Sequence, residues 1–205
     1  METFSHTDAD IRIATPDDEQ KIITLINSVC REGRFLQTTR FTPTPTWTNL
    51  LETCFDLEDR VALFVVACGK SIVGMGRLCQ DRRSTAPRPI GNIGIVLAPE
   101  WRGKKIGTFL LAKLLKTAII VGYHTLRADI LSINQRSLRL FRTFSFQDIG
   151  VHDFFWPATN QWIDEATLER HLMPANSPKA GSINLDGGNA SIAYNKKKSY
   201  DVEAH

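Results

Sequence analysis

The sequence lacks the cysteine and histidine patterns that mark disulfide-stapled and metal-binding proteins. Its four cysteines include no Cys-x-x-Cys pair, and most of them lie in apolar stretches, where a thiol behaves as a small hydrophobe. We therefore predict reduced, structural cysteines that bind no metal: Cys30, Cys54, Cys68 and Cys79. The histidines are not grouped as metal ligands are, so no metal site is expected.

Long hydrophobic runs and a strong charge are also absent. No apolar run approaches the length that crosses a bilayer. The polar and acidic N-terminal residues 1–8 do not have the composition of a signal peptide. A net charge of +3 is too small to attract nucleic acid or a membrane surface in bulk. We therefore expect a cytoplasmic protein with neither of those partners.

What the chain does contain fits one globular domain. Its 205 residues are 42% hydrophobic and 23% charged, which is enough to bury a core without staples. Residues 1–173 carry the apolar periodicity and are predicted to form that domain. Residues 174–205 are small, polar and glycine-rich and end near a lysine run, so a disordered tail is predicted there.

Hydrophobic periodicity predicts alternating strands and helices. The predicted strands are 11–14, 61–68, 72–78, 90–98, 126–133 and 146–156. The predicted helices are 15–31, 47–57, 108–121 and 134–143, and the predicted loops include 33–46 and 81–89. Segment 162–172 has the propensity of a helix but an alternation that permits a strand.

The most informative stretch runs from a hydrophobic strand through a glycine- and lysine-rich turn into a helix, at residues 95–108. Such a turn places unpaired backbone N–H groups at the positive end of a helix, which binds phosphate well. Gly103 and Gly107 allow close approach of an anion, and Arg102, Lys104 and Lys105 add charge. The spacing of a Walker loop and that of a dinucleotide fingerprint are both absent. Taken alone, the glycines could equally end a loop before a helix.

At this stretch the chain resembles the GCN5-related N-acetyltransferase (GNAT) superfamily, whose cofactor motif is Arg/Gln-x-x-Gly-x-Gly/Ala. Arg102, Ile106, Gly107 and Thr108 match the usual form of that motif, RGxGIGT, whereas Lys105 replaces its first glycine. A second segment, from Asn134 to Phe146, resembles the family's N-x-x-[AS]-x-x-L-Y-x-x-x-G-F pattern. There, Phe141 stands for the usual tyrosine and Ser145 for the usual glycine.

The resemblance implies an α/β (α+β) fold with a mixed, mostly antiparallel twisted sheet, split in a V and flanked by helices. It also favours a strand over a helix at 162–172. Acetyl-CoA, the implied acyl donor, would lie in the split and need no metal. The residues that would bind it are Ile95, Val96, Leu97, Arg102, Gly103, Lys104, Lys105, Ile106, Gly107, Thr108, Asn134 and Phe141.

The catalytic expectations also follow from the resemblance. The backbone N–H of Leu97 would stabilise the oxyanion that forms when an amine attacks the thioester. In related phosphinothricin-type enzymes a carboxylate lies ten residues before the motif arginine, a position held here by Asn92. Asn92 would then orient a water, and Glu32 in the loop after the first helix is the alternative base. Phe141 has no hydroxyl with which to protonate the leaving thiolate, which would slow turnover without forbidding it.

Three functions are compatible with these residues. The leading prediction is transfer of an acetyl group to the primary amine of a small molecule, such as an amino acid or an analogue. The alternatives are acetylation of a protein N-terminus or lysine, and a catalytically weak acyl-CoA-binding sensor or scaffold. Whether the chain forms a homodimer is left open.

Overall fold

The computed structural model describes residues 9–81, 89–156 and 159–172. Its strands are β1 (Ala9–Ile13), β2 (Phe55–Asp56), β3 (Val61–Cys68), β4 (Ser71–Gln80), β5 (Ile90–Leu97), β6 (Thr125–Leu131), β7 (Gln147–Trp156) and β8 (Gln161–His171). Its helices are α1 (Glu19–Cys30), α2 (Pro45–Thr53), α3 (Ile106–Ile120) and α4 (Gln135–Thr143). Short 3-10 turns at Pro16–Asp18 and Pro99–Trp101 precede α1 and α3.

The strands form one sheet in the order β1-β3-β4-β5-β6-β8-β7, with β2 beside β3. Every neighbouring pair is antiparallel except β5 and β6, which are parallel. The predicted fold class, a mixed and mostly antiparallel sheet flanked by helices, is therefore confirmed.

The helices cover both faces of this sheet. Helices α1 and α2 pack on one face, burying Ile22 and Leu51 against Leu63 and Met75 of β3 and β4. Helices α3 and α4 pack on the other face, where α3 buries a leucine row against the same strands. Gly76 lets α3 lie this close, because a Cβ there would be 2.7 Å from the Cδ1 of Leu114.

The entry into α1 is fixed by an ion pair with a capping box. Asp18, which is 2% exposed, accepts hydrogen bonds from the backbone N–H and the hydroxyl of Thr15 at 2.9 and 3.1 Å. The guanidinium of Arg12 donates to both oxygens of Asp18, at 2.6 and 2.9 Å. The Arg12 hydrogen bonds lower the pKa of Asp18 from its ordinary value to about 2. This pair ties β1 to the start of α1.

The predicted elements are present, although several of their bounds differ from the prediction. The segment at 162–172 is a strand, as the resemblance implied, running from Gln161 to His171. The second helix was predicted to reach Leu57, but it ends at Thr53, and Phe55–Asp56 pairs with β3 instead. Cys54 has a φ of 53°, a left-handed conformation that cannot continue a helix.

The cysteines lie where small hydrophobes do. Cys30 and Cys54 are buried, Cys68 and Cys79 are half-buried, and all four thiols are free. Burial raises the pKa of the Cys30 and Cys54 thiols. Within residues 9–172, apart from the two undescribed gaps, no helix has the length and apolarity needed to span a membrane. The predicted tail at 174–205 and most of the predicted loop at 81–89 lie outside the described residues.

Candidate active site

The sheet opens between β5 and β6. These strands pair over only three residues, Ile90 with Thr125, Gly91 with Leu126 and Asn92 with Arg127. Beyond Asn92 and Arg127 each strand continues without the other, and a cavity of about 290 Å³ lies between them. The vertex of this split is therefore at Asn92, and the cavity walls are residues 93–96 and 128–131.

The hydrogen-bond register decides which backbone groups of β5 face the split. At the two ends of β5, the Asp81 N–H donates to the Ile90 carbonyl at 2.8 Å, and the Ala98 N–H donates to the Val73 carbonyl at 2.9 Å. Because antiparallel bonding alternates along a strand, every even-numbered residue between these ends bonds to β4. The backbone N–H and carbonyl groups of Val96 therefore bond to β4, and those of Ile95 and Leu97 point into the split. The Leu97 carbonyl is taken by the Arg102 Nε at 3.0 Å, which leaves the Leu97 N–H.

The turn after β5 exposes a run of backbone donors at the start of α3. The five N–H groups of residues 103–107 donate to no protein atom in the described part of the chain. Gly103 has a φ of 79° and Lys105 a φ of 62°, so two left-handed residues shape the turn. Residues 103–105 are exposed, and α3 extends for 15 residues behind them. Exposed N–H groups at the positive end of a helix dipole are the features that anion-binding turns have.

Two of the residues predicted for different roles bind each other. The guanidinium of Arg102 donates to both carboxylate oxygens of Glu32, at 2.7 and 2.5 Å, and its carbon lies 5.0 Å from the ring centroid of Phe35. The pair is largely buried, with side chains 17% and 23% exposed. The Arg102 side chain thus ties the loop after α1 to the turn after β5, and both oxygens of Glu32 take part in this contact.

The second predicted motif forms the far wall of the split. Asn134 caps α4, because its Oδ1 accepts from the Ser137 N–H at 3.2 Å, and its side chain lines the cavity. Phe141 is buried at the cavity wall with its ring edge-on to Phe146, 5.0 Å between centroids. Ser145, at the position of the family's glycine, has a φ of 62°.

A second cavity of about 420 Å³ lies beside Arg102, at the start of the turn after β5. It is lined by Leu97 and Arg102 on one side and by Asn134 and Arg136 on the other. Ile95 and Asn134 line both cavities, so the two cavities are neighbours along the split. Arg136 lines the second cavity, whereas Arg142 is paired with Asp148 at 2.8 and 3.0 Å.

The first cavity contains a polar network that the sequence reasoning missed. Arg77 Nη2 donates to Asn92 Oδ1 at 2.8 Å, and Asn92 Nδ2 donates to Asp129 Oδ2 at 3.3 Å. Thr167 Oγ1 donates to the other Asp129 oxygen at 2.9 Å. The network therefore joins β4, β5, β6 and β8 across one face of the sheet. The sequence contained one indication of this network, the carboxylate of Asp129 in the middle of the predicted strand 126–133.

Glu165 of β8 is a second missed carboxylate in this cavity. It is 4% exposed, accepts from the Gln37 amide, and lies 2.8 Å from the His152 Nε2. The opposite wall is aromatic, with Phe35, Phe41 and Trp47 supplied by the loop after α1 and by α2. The cavity therefore combines an apolar wall with a floor of fixed polar groups.

Comparison with known proteins gives a consistent result. The sequence model of the acetyltransferase (GNAT) family matches residues 28–146, more than half of the chain. No curated protein sequence matches. Among solved structures, a GNAT superfamily phosphinothricin acetyltransferase from Sinorhizobium meliloti in complex with acetyl-CoA has a TM-score of 0.70 and 23% identity, covering 86% of this chain and 96% of its own.

Two further solved structures have a similar likeness. The ribosomal-protein-alanine N-acetyltransferase from Brucella melitensis has a TM-score of 0.70 at 23% identity, over 80% of this chain and 99% of its own. An N-acetyltransferase from Staphylococcus aureus Mu50 has a TM-score of 0.70 at 24% identity, over 80% and 99%. At these identities the likeness shows a shared fold.

Proposed function

The chain belongs to the GNAT family of acetyltransferases, and on that basis we propose that it transfers an acetyl group from acetyl-CoA to the primary amine of a small molecule, an amino acid or an analogue. The observation that carries the proposal is the run of five N–H groups at residues 103–107 that have no partner among the described residues and directly follow Arg102, which lines the second, outer cavity.

The residues present fit the acyl donor. The N–H groups of the turn would hold its two phosphates, with Lys104, Lys105 and Arg136 nearby as cations. The free backbone groups of Ile95 and Leu97 would pair with its amide-bearing arm as an added strand does. Acetyl-CoA supplies a thioester carbonyl, which an amine can attack.

The geometry favours Ile95 over Leu97 as the donor to the developing oxyanion. Both N–H groups point into the split, but only Ile95 lines the cavity that contains Asn92 and Asp129. Leu97 lines the outer cavity beside Arg102. A carbonyl held near the polar network would therefore be within reach of the Ile95 N–H, and Leu97 would hold the arm further out.

The cavity supports a small, charged acceptor. Its volume of about 290 Å³ is at the small end of the range for ligand pockets. Arg77 has no carboxylate partner among the residues that the structure describes, and its carbon lies 5.8 Å from the ring centroid of Trp47. A cation at one end and carboxylates at Asp129 and Glu165 would suit an amino acid, with its carboxylate on Arg77 and its ammonium group toward the acids.

A thermal-shift titration tests donor binding. Acetyl-CoA at a hundred times its dissociation constant is expected to add about 2.7 kcal/mol to the free energy of unfolding. If neither acetyl-CoA nor CoA shifts the melting curve, the acetyltransferase and the sensor interpretations both fail.

Release of free thiol from acetyl-CoA tests the transfer and the acceptor class. The panel would contain amino acids, the same amines without a carboxylate, and short peptides with free N-termini or lysines. Arg77→Met is expected to raise KM for amino acids at least tenfold and leave KM for the decarboxylated amines unchanged. Release with peptides alone would favour a protein acceptor, and binding without release would favour a sensor.

A further inference from the structure

The site requires a proton acceptor that neither sequence candidate provides. An amine enters as an ammonium ion and must lose a proton before its nitrogen can attack. Asn92 carries an amide, which accepts no proton near neutral pH. Both oxygens of Glu32 accept from Arg102, on the side of β5 that leads to the outer cavity.

Asp129 lies where a base would be needed. Asn92 and Arg127 form the last pair of the parallel seam, and Asp129 lies two residues further along β6, where the two strands have separated. It faces the same side of the sheet as Asn92, because the Asn92 amide donates to it at 3.3 Å. Asp129 therefore lines the cavity just beyond the vertex, and the same cavity is lined by Ile95, whose N–H is proposed for the oxyanion.

We propose that Asp129 is the general base of the transferase, and that Asn92 and Thr167 position its carboxylate. This rests on the proposed function. In phosphinothricin-type relatives, as the resemblance implied, a carboxylate occupies the position of Asn92 on β5. In this chain the equivalent charge lies on the opposite wall of the same split, one hydrogen bond away.

The proton and electron balance is simple. The acceptor's ammonium group gives one proton to Asp129, and its freed electron pair forms the new bond between nitrogen and the carbonyl carbon. The bond between that carbon and sulfur breaks, and the thiolate takes the second proton that nitrogen loses as the amide forms. Asp129 then releases its proton to solvent. One proton is released per acetyl group transferred.

Glu165 is less well placed for this step. It lies on β8, one strand further from β5 than Asp129, and is level with Leu131 at the wide end of the split. Its two oxygens face Gln37 and His152. Its position suits contact with the body of the acceptor.

The experiment compares three variants by thiol release with the best amine of the panel, across pH 6–9. Asp129→Asn is expected to lower kcat/KM at pH 7 by about 10²–10⁴-fold, the usual contribution of a general base, with the acetyl-CoA melting shift retained. Its log kcat/KM should rise with pH at a slope near one, since only amine that is already deprotonated reacts. The wild-type profile should be flatter.

The matched control is Glu169→Gln. Glu169 is a carboxylate on the same face of the sheet, hydrogen-bonded to Arg127 at 2.7 Å and outside the cavity. It should leave the shape of the pH profile unchanged. The double variant Asn92→Asp with Asp129→Asn exchanges the two side chains and retains a carboxylate–amide pair, and it should regain at least tenfold of the lost rate with a flatter profile.

The outcomes separate the two proposals. If the wild-type enzyme releases thiol, two results would overturn the role of Asp129 alone. One is a kcat/KM for Asp129→Asn within threefold of wild type, and the other is an equal loss of kcat/KM in Glu169→Gln. A wild-type chain that releases no thiol with any amine overturns the proposed function as well. If Asp129→Asn does not fold, the exchanged double variant decides, because inactivity with intact acetyl-CoA binding would contradict a base at this place.

Discussion

Replacing Lys105 by glycine is expected to stabilise the protein. Lys105 precedes α3 with a φ of 62° and a ψ of 1°, a left-handed conformation in which its Cβ crowds the backbone. This conformation costs a residue with a side chain about 1–2 kcal/mol, whereas glycine adopts it freely. Glycine loses more conformational entropy on folding, which offsets about 0.5–1 kcal/mol of that gain. The net change should be an increase of about 0.5–1 kcal/mol in the free energy of unfolding.

The assay is thermal unfolding without ligand. For a chain of this size each kcal/mol corresponds to about 2–4 °C, so Lys105→Gly should raise Tm by about 1–4 °C. Lys104→Gly is the matched control, because it removes the same charge from the neighbouring exposed position, where φ is not positive. That variant should leave Tm unchanged or lower it. Equal shifts in both variants, or a lower Tm for Lys105→Gly, would refute the strain argument.

Three further variants test separate parts of the structure. Glu32→Gln should lower the free energy of unfolding by about 1–2 kcal/mol, because it removes a charge-assisted bond to the largely buried Arg102. Denaturant titration measures this change. A changed pH profile of thiol release would instead favour Glu32 as a base. Asp18→Asn should lower stability at pH 7 by about 1–2 kcal/mol, a value discounted because Arg12 is 38% exposed. Since the folded pKa of Asp18 is lowered to about 2, its contribution is present above about pH 4 and lost as pH falls toward 2, so acid titration of the variant should be flatter there. Gly107→Val should abolish the acetyl-CoA melting shift, because even a Cβ at Gly107 would be 3.2 Å from the Cδ2 of Leu140, and valine adds two methyl groups at the start of α3. Gly107→Ala should retain part of the shift. A full melting shift in the valine variant would contradict the proposed binding mode.

The fold was predictable from the sequence because its signals are local. The apolar run at Val61–Cys68 gave a strand with the predicted bounds, and the helix predicted at 134–143 is present as α4, capped by Asn134. The end of α2 was less predictable. The apolar spacing of Cys54 and Phe55 continues the helical pattern, but Phe55 instead pairs with Ala62 of β3. A tertiary contact overrode a local preference there.

The candidate site was only partly predictable. The turn at residues 103–107, proposed to bind phosphate, was predictable because its glycines and the helix start are adjacent in the chain. The polar network does not, because Arg77, Asn92, Asp129 and Thr167 come from four strands that only the sheet order brings together. The sequence also could not show which residues of β5 bond to β4 and which face the split, because this alternation depends on how β5 pairs with its neighbours. Val96, for example, was predicted to bind acetyl-CoA, but its backbone groups bond to β4.

The alternating hydrogen bonding of β5 has a consequence for amide hydrogen exchange. Without ligand, the amides of Val96 and Ala98 should exchange slowly and those of Ile95 and Leu97 quickly, so protection should alternate residue by residue along one strand. Bound acetyl-CoA would slow the fast pair and leave the slow pair nearly unchanged. The two halves of the sheet, joined without ligand by three residue pairs, would then gain a shared boundary along the whole length of β5.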